Sequence, residues 1–174
     1  DDGTVSRGVG KSPWTGETIP SDYIKAEAQA GRMEEMLYAI AIKTSEGFDF
    51  REPAQADLEA VKRAHKVLKE KKTEWITRDI IPNEKFPEGN DNRPIMYGMP
   101  YWTDFYAPRQ LLSIGTYIEE LKEIEININQ VEKMDKAKAI ITYLGFILDK
   151  VSVYNCRTSR WHSGRTVMAP QFER

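Results

Sequence analysis

The chain has 174 residues, of which 40% are hydrophobic and 30% are charged, and its formal net charge is −2. This length fits a single domain that can bury a hydrophobic core. The slightly acidic balance excludes a uniformly basic protein, so any contact with nucleic acid would have to come from a local basic patch. The single cysteine excludes an internal disulfide framework and fits a reducing compartment, so we expect a cytoplasmic protein.

The sequence predicts a protein without a membrane partner. No apolar run in it approaches the roughly 18 residues of a transmembrane helix, and the first residues lack the basic and then apolar pattern of a signal peptide. The chain starts at Asp1 without a methionine. We therefore expect either a processed protein or a fragment of a longer one.

Two regions are predicted from the change in composition along the chain. Residues 1–33 are expected to form an irregular lead-in, because the first 22 residues contain six glycines and prolines among small polar residues. Residues 34–174 are expected to form a β-hairpin and a helical accessory domain. In this second region, apolar residues alternate with other residues on both sides of the turn sequence Ser45-Glu46-Gly47, which predicts the hairpin.

Three helices are predicted after the hairpin. The first covers Gln55 to Lys72 and has an apolar stripe along one side. A basic stripe recurs at helical spacing on its other side: Lys62, Lys66 and Lys69. The second and third helices run from about Ala107 to Glu125 and from about Val131 to Tyr154, and they should pack antiparallel.

Between the first and second helices, residues 79–106 are predicted to form a long loop rich in aromatic residues. Its prolines and glycines exclude any long regular element. Thr103 or Asp104 is expected to cap the helix that follows, and Pro108 suits the first turn of that helix. The predicted fold class is therefore α+β, with an irregular N-terminal region and a β-hairpin followed by a bundle of about three helices.

No catalytic or metal centre is predicted. His65 and His162 lie far apart in the sequence and one cysteine is present, which does not fit a zinc site. His65 and Cys156 are assigned no role, since the sequence fixes no partner that would activate the thiol. The stretch from Gly8 to Ser12 lacks the full spacing of a phosphate-binding loop and the strand that precedes one.

The segment after Asn155 is polar and basic, and we expect it to have no role in the core. It combines guanidinium groups with one large ring and small hydroxyls, which suits phosphate contacts and base stacking. The residues concerned are Arg157, Arg160, Trp161, His162 and Arg165. A plain surface extension is the alternative, and composition does not decide between the two.

Several short motifs keep a fixed order along the chain. They are Tyr97-Gly98-Met99, Trp102, Asp104, Pro108-Arg109-Gln110-Leu111-Leu112, Asn155 and Arg160-Trp161. An earlier motif of the form I-P-x-x-x-I-K-A-E-x-x-A-G-R lies between Ile19 and Arg32. Together they resemble a segment of the adenine-specific DNA methylases that contain a zinc-ribbon module.

The chain departs from that family at the ribbon and at the catalytic motifs. Where the ribbon has C-P-x-C-G, this chain has Ser12-Pro13-Trp14-Thr15-Gly16, and hydroxyls do not replace thiolate ligands, so we expect no zinc. Neither a D-P-F-x-G-x-G cofactor loop nor a D-P-P-Y catalytic motif occurs in it. The resemblance therefore implies the region between these two motifs in a longer enzyme. S-adenosylmethionine would be the cofactor of that parent enzyme, and no cofactor is expected here.

The main hypothesis is an accessory, DNA-contacting region of an S-adenosylmethionine-dependent DNA adenine methyltransferase that is not catalytic alone. Its partners would be duplex DNA, bound through the lysine stripe and the tail, and the catalytic domain of the same parent chain. The motif or interface residues are then Tyr97, Trp102, Asp104, Pro108, Arg109, Gln110 and Asn155.

Two alternatives remain open. One is a structural insert that packs on the catalytic domain or on a partner protein, which an exposed apolar patch from the aromatic loop would favour. The other is an independent enzyme, which a pocket joining His162, Cys156 and acidic groups would favour. The aromatic side chains of residues 96–106 would cover the end of the helical pair in a structural role. In the main hypothesis they anchor the region on the catalytic domain or face DNA beside it.

Overall fold

The computed structural model describes residues 4–89 and 91–170, which fall into two units. The first unit comprises the described residues of 1–35 and 84–104, and the second comprises those of 36–83 and 105–174. The domain limits expected from the sequence, 1–33 and 34–174, stay a prediction. The α+β fold class is confirmed, because the described residues form short hairpins and long helices.

In the first unit, short strands and a helix replace the expected irregular lead-in. Strands β1 (Val5–Ser6), β2 (Val9–Lys11) and β3 (Thr18–Ile19) form an antiparallel sheet in that order, and helix α1 (Ser21–Gln29) follows. Strands of two or three residues are too short to show a hydrophobic period, so composition alone suggested turns. The backbone of Arg7 and Gly8 has positive φ angles of 50° and 79°, which makes the tight turn between β1 and β2.

The rest of the first unit comes from the long loop. It contains one short helix, α3 (Arg93–Met96), and a 3-10 turn at Trp102–Phe105, so the expectation of no long regular element is confirmed. Lys85 and Tyr101 form an isolated antiparallel bridge that brings the two ends of this segment together.

The second unit contains the predicted hairpin and the three predicted helices. The hairpin is β4 (Ile40–Thr44) and β5 (Gly47–Arg51), and the helices are α2 (Gln55–Thr77), α4 (Pro108–Val131) and α5 (Met134–Tyr154). A second hairpin, β6 (Arg160–His162) and β7 (Val167–Ala169), was not predicted. Helices α2 and α4 extend beyond their expected ends at Lys72 and Glu125, although most of the added residues are weak helix formers. In α2 the burial of Trp75 in the core outweighs this low propensity.

The core of the second unit lies between α2 and α4. Trp75 is 0% exposed and is surrounded by buried aliphatic side chains. These are Leu68, Ile80, Ile81 and Leu111. Ile80 and Ile81 follow α2 directly, and their amides donate to the carbonyl of Trp75, so the chain folds back onto the same ring.

Helices α4 and α5 form an antiparallel hairpin, as expected. Two residues connect them, and the Tyr117 hydroxyl donates to the carbonyl of Leu144 at 3.3 Å across the pair. Although α5 is rich in apolar residues, Ala137 is its one fully buried residue. No helix in the described ranges is both long and apolar enough to cross a membrane.

Candidate nucleic-acid interface

The lysine stripe of Lys62, Lys66 and Lys69 lies on the solvent side of α2. All three side chains are exposed, and their spacing of four and three residues places them on one helix face. Arg63 and Lys72 are also exposed and extend the basic surface. These two were missed in the sequence, although Lys72 continues the same helical spacing from Lys69.

Opposite charges near this stripe are few. Between residues 62 and 72 the one acidic residue is Glu70, whose carboxylate lies 3.9 Å from the Lys66 ammonium group. Both side chains of that pair are exposed, so solvent and salt screen it strongly. Lys62 and Lys69 form no ion pair with any residue that the structure describes. The stripe therefore keeps most of its positive charge.

Lys71 belongs to the helix interface and not to the stripe. Its Nζ lies 2.6 Å from Glu119 Oε2 and 5.0 Å from the centre of the Trp75 ring. Glu119 Oε1 accepts two more bonds, from Trp75 Nε1 at 3.0 Å and from Arg78 Nη1 at 2.9 Å. The hydrogen bond from Lys71, followed by that from Trp75, holds the pKa of Glu119 below its usual value. These hydrogen bonds join α2 to α4 and so fix the direction in which the lysine stripe faces.

The C-terminal segment packs on the first hairpin, and its residues Cys156 and Ala169 are buried, which corrects the expectation that it has no role in the core. The Trp161 ring meets Phe48 and Phe50 edge-to-face, with ring centres 5.8 and 5.4 Å apart. Trp161 is still 38% exposed. Its visible role is to join the two hairpins, and base stacking by this ring stays a prediction.

The basic residues of the tail lie around this second hairpin. Arg157, Arg160 and Arg165 all have exposed side chains. The backbone N–H of Arg157 donates to the carbonyl of Phe105 at 2.8 Å, which ties the tail to the segment before α4. His162 Nδ1 accepts a bond from the Arg165 amide at 3.2 Å, so this ring shapes the turn between β6 and β7.

Asn155 and Cys156 end α5. Asn155 is the C-cap residue, and its amide donates to the carbonyl of Val151 at 2.8 Å. Cys156 is buried, and its Sγ lies 3.2 Å from the hydroxyl of Thr158. Burial, followed by the neighbouring Cys156, raises the pKa of Tyr106 above its ordinary value. Because Cys156 is buried, its thiol is held inside the protein and is not presented to a substrate.

Three motif residues of the aromatic loop hold the first unit together. Trp102 packs edge-to-face on Phe86, with ring centres 4.9 Å apart. Asp104 Oδ2 accepts a bond from the Tyr101 amide at 2.8 Å. The amide of Tyr97 donates to the carbonyl of Arg93 and ends α3. The loop is thus ordered by its own contacts, while Trp102 itself is 42% exposed.

The predicted helix cap at Thr103 or Asp104 is wrong. Thr103 is buried, Asp104 bonds to Tyr101, and the N-cap of α4 is Ala107. Alanine has no side-chain acceptor for the N–H groups of the first turn, so only the reverse bond of a capping box forms here: Gln110 Oε1 accepts the bond from the Ala107 N–H at 2.8 Å. Pro108 occupies the first helical turn as predicted.

Residues 12–16, where the resemblance implied ribbon cysteines, form a hydrogen-bonded turn. The Ser12 hydroxyl accepts a bond from the Thr15 amide at 3.1 Å, and the Ser12 carbonyl accepts one from Gly16 at 2.9 Å. Within residues 4–89 and 91–170, no three His, Cys, Asp or Glu side chains cluster as metal ligands would. The absence of zinc stays a prediction.

Comparison of this chain with models of protein families, with curated proteins and with solved structures found no match. The methylase resemblance therefore rests on the sequence motifs alone. The geometry adds that most of these motif residues have packing or capping contacts within their own unit.

Proposed function

We propose that this chain is an accessory region of a larger S-adenosylmethionine-dependent DNA adenine methyltransferase, and that its α2 lysine stripe contacts the phosphates of duplex DNA. The observation that carries this proposal is the exposed row of Lys62, Lys66 and Lys69 on one face of a long helix. Cations in such a row neutralise phosphates and release bound counterions, which favours binding to any DNA sequence.

The length of the stripe matches a duplex strand. Together with Lys72, the stripe covers residues 62–72, which is about 15 Å of helix axis at about 1.5 Å per residue. One strand of B-DNA presents a phosphate every 3.4 Å or so along its axis, which places about four phosphates within that length. Engagement of three or four phosphates predicts that log affinity falls against log salt with a slope of roughly −3 to −4.

A methyltransferase benefits from such contacts because the target adenine must leave the helix stack. Extruding a base costs a few kcal/mol, and contacts elsewhere on the duplex offset this cost. In this proposal the catalytic domain of the parent chain binds S-adenosylmethionine and performs the transfer. The accessory region supplies affinity without selecting the base.

The test is the salt dependence of duplex binding by fluorescence anisotropy. Replacing Lys62, Lys66 and Lys69 by glutamine should reduce the slope by up to about three phosphate equivalents. The control replaces three exposed lysines at the start of α5, including its N-cap residue, by glutamine, which changes net charge equally: Lys133, Lys136 and Lys138. An equal loss in both variants would mean that net charge, and not the stripe, governs binding. Failure of the folded protein to bind at low salt would also contradict the proposal.

A second series of variants measures how much the tail contributes to DNA binding. Replacing Arg157, Arg160 and Arg165 together by glutamine should reduce the slope further if the tail also contacts phosphates. An unchanged slope would restrict the interface to α2. Because the tail and α2 belong to the same unit, melting curves of each variant are needed to separate lost contacts from lost folding.

A specific observation favours the structural insert as a second function of the same region. Helix α5 exposes a row of large apolar side chains at helical spacing: Tyr143, Phe146, Ile147 and Val151. Tyr143 is 70% exposed and Phe146 is 61% exposed, and their rings contact each other edge-to-face. An exposed apolar row on a helix usually marks a surface that another protein or domain covers. In this proposal, α5 docks on the catalytic domain.

Hydrogen exchange tests this second function. If α5 docks on the catalytic domain, its amides around Tyr143 and Phe146 should exchange more slowly in the parent enzyme than in this chain alone. Phe146→Glu should abolish that protection without changing the salt slope of DNA binding. Equal exchange in both proteins would contradict docking through α5.

A further inference from the structure

An apolar groove of about 400 Å³ lies in the second unit, between strand β4 and helix α2. Ala39 and Ala41 line its strand side, and Ala60 and Val61 line its helix side. Arg109, from the first turn of α4, is the one basic side chain among the lining residues. The groove is thus lined mainly by apolar side chains, and Arg109 places a positive charge beside them.

Strand β4, which contributes Ile40 and Ala41 to the lining, is an edge strand, because β5 is its one partner among the described strands. The pair Thr44 and Gly47 flanks a two-residue turn and is hydrogen-bonded, and such pairs alternate along an antiparallel ladder. The amides and carbonyls of Ala41 and Lys43 therefore point away from β5. Neither amide bonds to another backbone group in the described part of the chain. An edge of this kind accepts a further strand.

Asp57, the other charged residue of the groove, already has hydrogen-bond partners within the protein. Asp57 accepts two bonds from Arg51, at 2.6 and 3.0 Å, and one from the Ala54 amide at 2.8 Å. These bonds, led by that from Arg51, hold the pKa of Asp57 below its usual value. Asp57 therefore stays ionised and bound to Arg51. Among the described residues, Arg109 has no ion-pair partner.

Arg109 also stands apart from its neighbours in the P-R-Q-L-L motif. Pro108 starts α4, Gln110 caps it, and Leu111 is buried in the core. The Arg109 side chain is exposed and makes no hydrogen bond to a residue that the structure describes. Contacts within the described residues therefore account for Pro108, Gln110 and Leu111 but not for the Arg109 side chain.

We propose that an extended peptide segment of a partner protein binds in this groove as a third strand on β4, with a carboxylate side chain on Arg109. The main chain of Ala41 and Lys43 supplies the ladder bonds. Strand β4 has five residues and spans about 16 Å at about 3.3 Å per residue, which accommodates a segment of five residues. Small apolar side chains at alternate positions fit against Ala60 and Val61, and the guanidinium fork selects a carboxylate.

The test uses acetylated, fluorescein-labelled pentapeptides in which one glutamate is moved through a Val/Thr background. One register should bind best and shift the amide NMR signals of residues 37–43, 60, 61 and 109. Binding should protect the amides of Ala41 and Lys43 from hydrogen exchange. Arg109→Gln should weaken that peptide about tenfold, as expected for one charge-assisted hydrogen bond. The glutamine version of the peptide should bind equally to both proteins.

Two further variants separate the proposal from general effects. Arg63→Gln removes an exposed arginine outside the groove and should leave peptide affinity unchanged. Ala41→Pro removes an outward N–H without breaking the pairs between β4 and β5, so the protein should fold while peptide binding is lost. The proposal is overturned if no peptide perturbs residues 37–43, if Arg63→Gln weakens binding as much as Arg109→Gln, or if sedimentation shows that β4 pairs two copies of this chain.

Discussion

The ring of Trp75 on α2 lies directly on the backbone of Gly115 on α4. A Cβ atom built on Gly115 would overlap the ring carbon Cζ3, closer than unbonded carbon atoms approach. Trp75 is 0% exposed and its Nε1 is bonded to Glu119, so the ring has no space to move away. Glycine at this position therefore sets how closely the two helices approach.

Gly115→Ala should destabilise the second unit. Overpacking a rigid core costs about 1–3 kcal/mol, which outweighs the gain of up to about 1 kcal/mol in helix propensity. Denaturant unfolding followed by tryptophan fluorescence measures the difference. The matched control is Gly145→Ala in α5, where no atom lies within 4 Å of the added methyl group and only the propensity gain applies. A stable Gly115→Ala variant would mean that the two helices can separate.

The close approach of Trp75 to Gly115 is a contact that could not be predicted from the sequence. The apolar stripe of α2 and the hairpin were predictable, since each follows a local period in the sequence. The burial of Trp75 was not predictable, because the predicted helix ended at Lys72, three residues before this most buried side chain of the unit. Its burial depends on a glycine forty residues later, and no local pattern indicates that pairing.

The candidate interface also has features that could be predicted from the sequence and features that could not. The stripe of Lys62, Lys66 and Lys69 follows from helical spacing, and the structure places these side chains in solvent. The partners of Trp161 could not be predicted, because Phe48 and Phe50 lie more than a hundred residues earlier in the chain. The groove at Arg109 was missed for the same reason, since its walls come from three separate segments.

Gln110→Ala should destabilise α4 by about 1–3 kcal/mol. The substitution leaves the N–H of Ala107 buried without an acceptor, and an unsatisfied buried donor has a cost of this size. Gln110→Glu keeps an acceptor at the positive end of the helix and should lose much less. Thermal unfolding of the two variants checks this difference, and equal losses would show that the side chain acts by packing alone.

The bonded carboxylate of Glu119 should make the protein less stable in acid. Because the pKa of Glu119 is lowered in the folded state, its contribution is fully present above the unfolded value of about 4.3. The contribution is lost as pH falls through the lower folded value. Glu119→Gln should therefore reduce stability by about 1–2 kcal/mol at pH 7 and reduce it less at pH 3. Urea unfolding at both pH values measures this, and a pH-independent loss would exclude a role for the charge.

Trp161→Ala should lower stability without changing the salt slope of DNA binding. The ring makes two edge-to-face contacts, with Phe48 and Phe50, and each such pair contributes about 0.5–1.5 kcal/mol. A double-mutant cycle with Phe50→Ala isolates the second contact, and its coupling energy should fall in that range. A folded Trp161→Ala variant that keeps its melting temperature but binds DNA more weakly would assign the ring to base stacking, and the packing explanation would then be wrong.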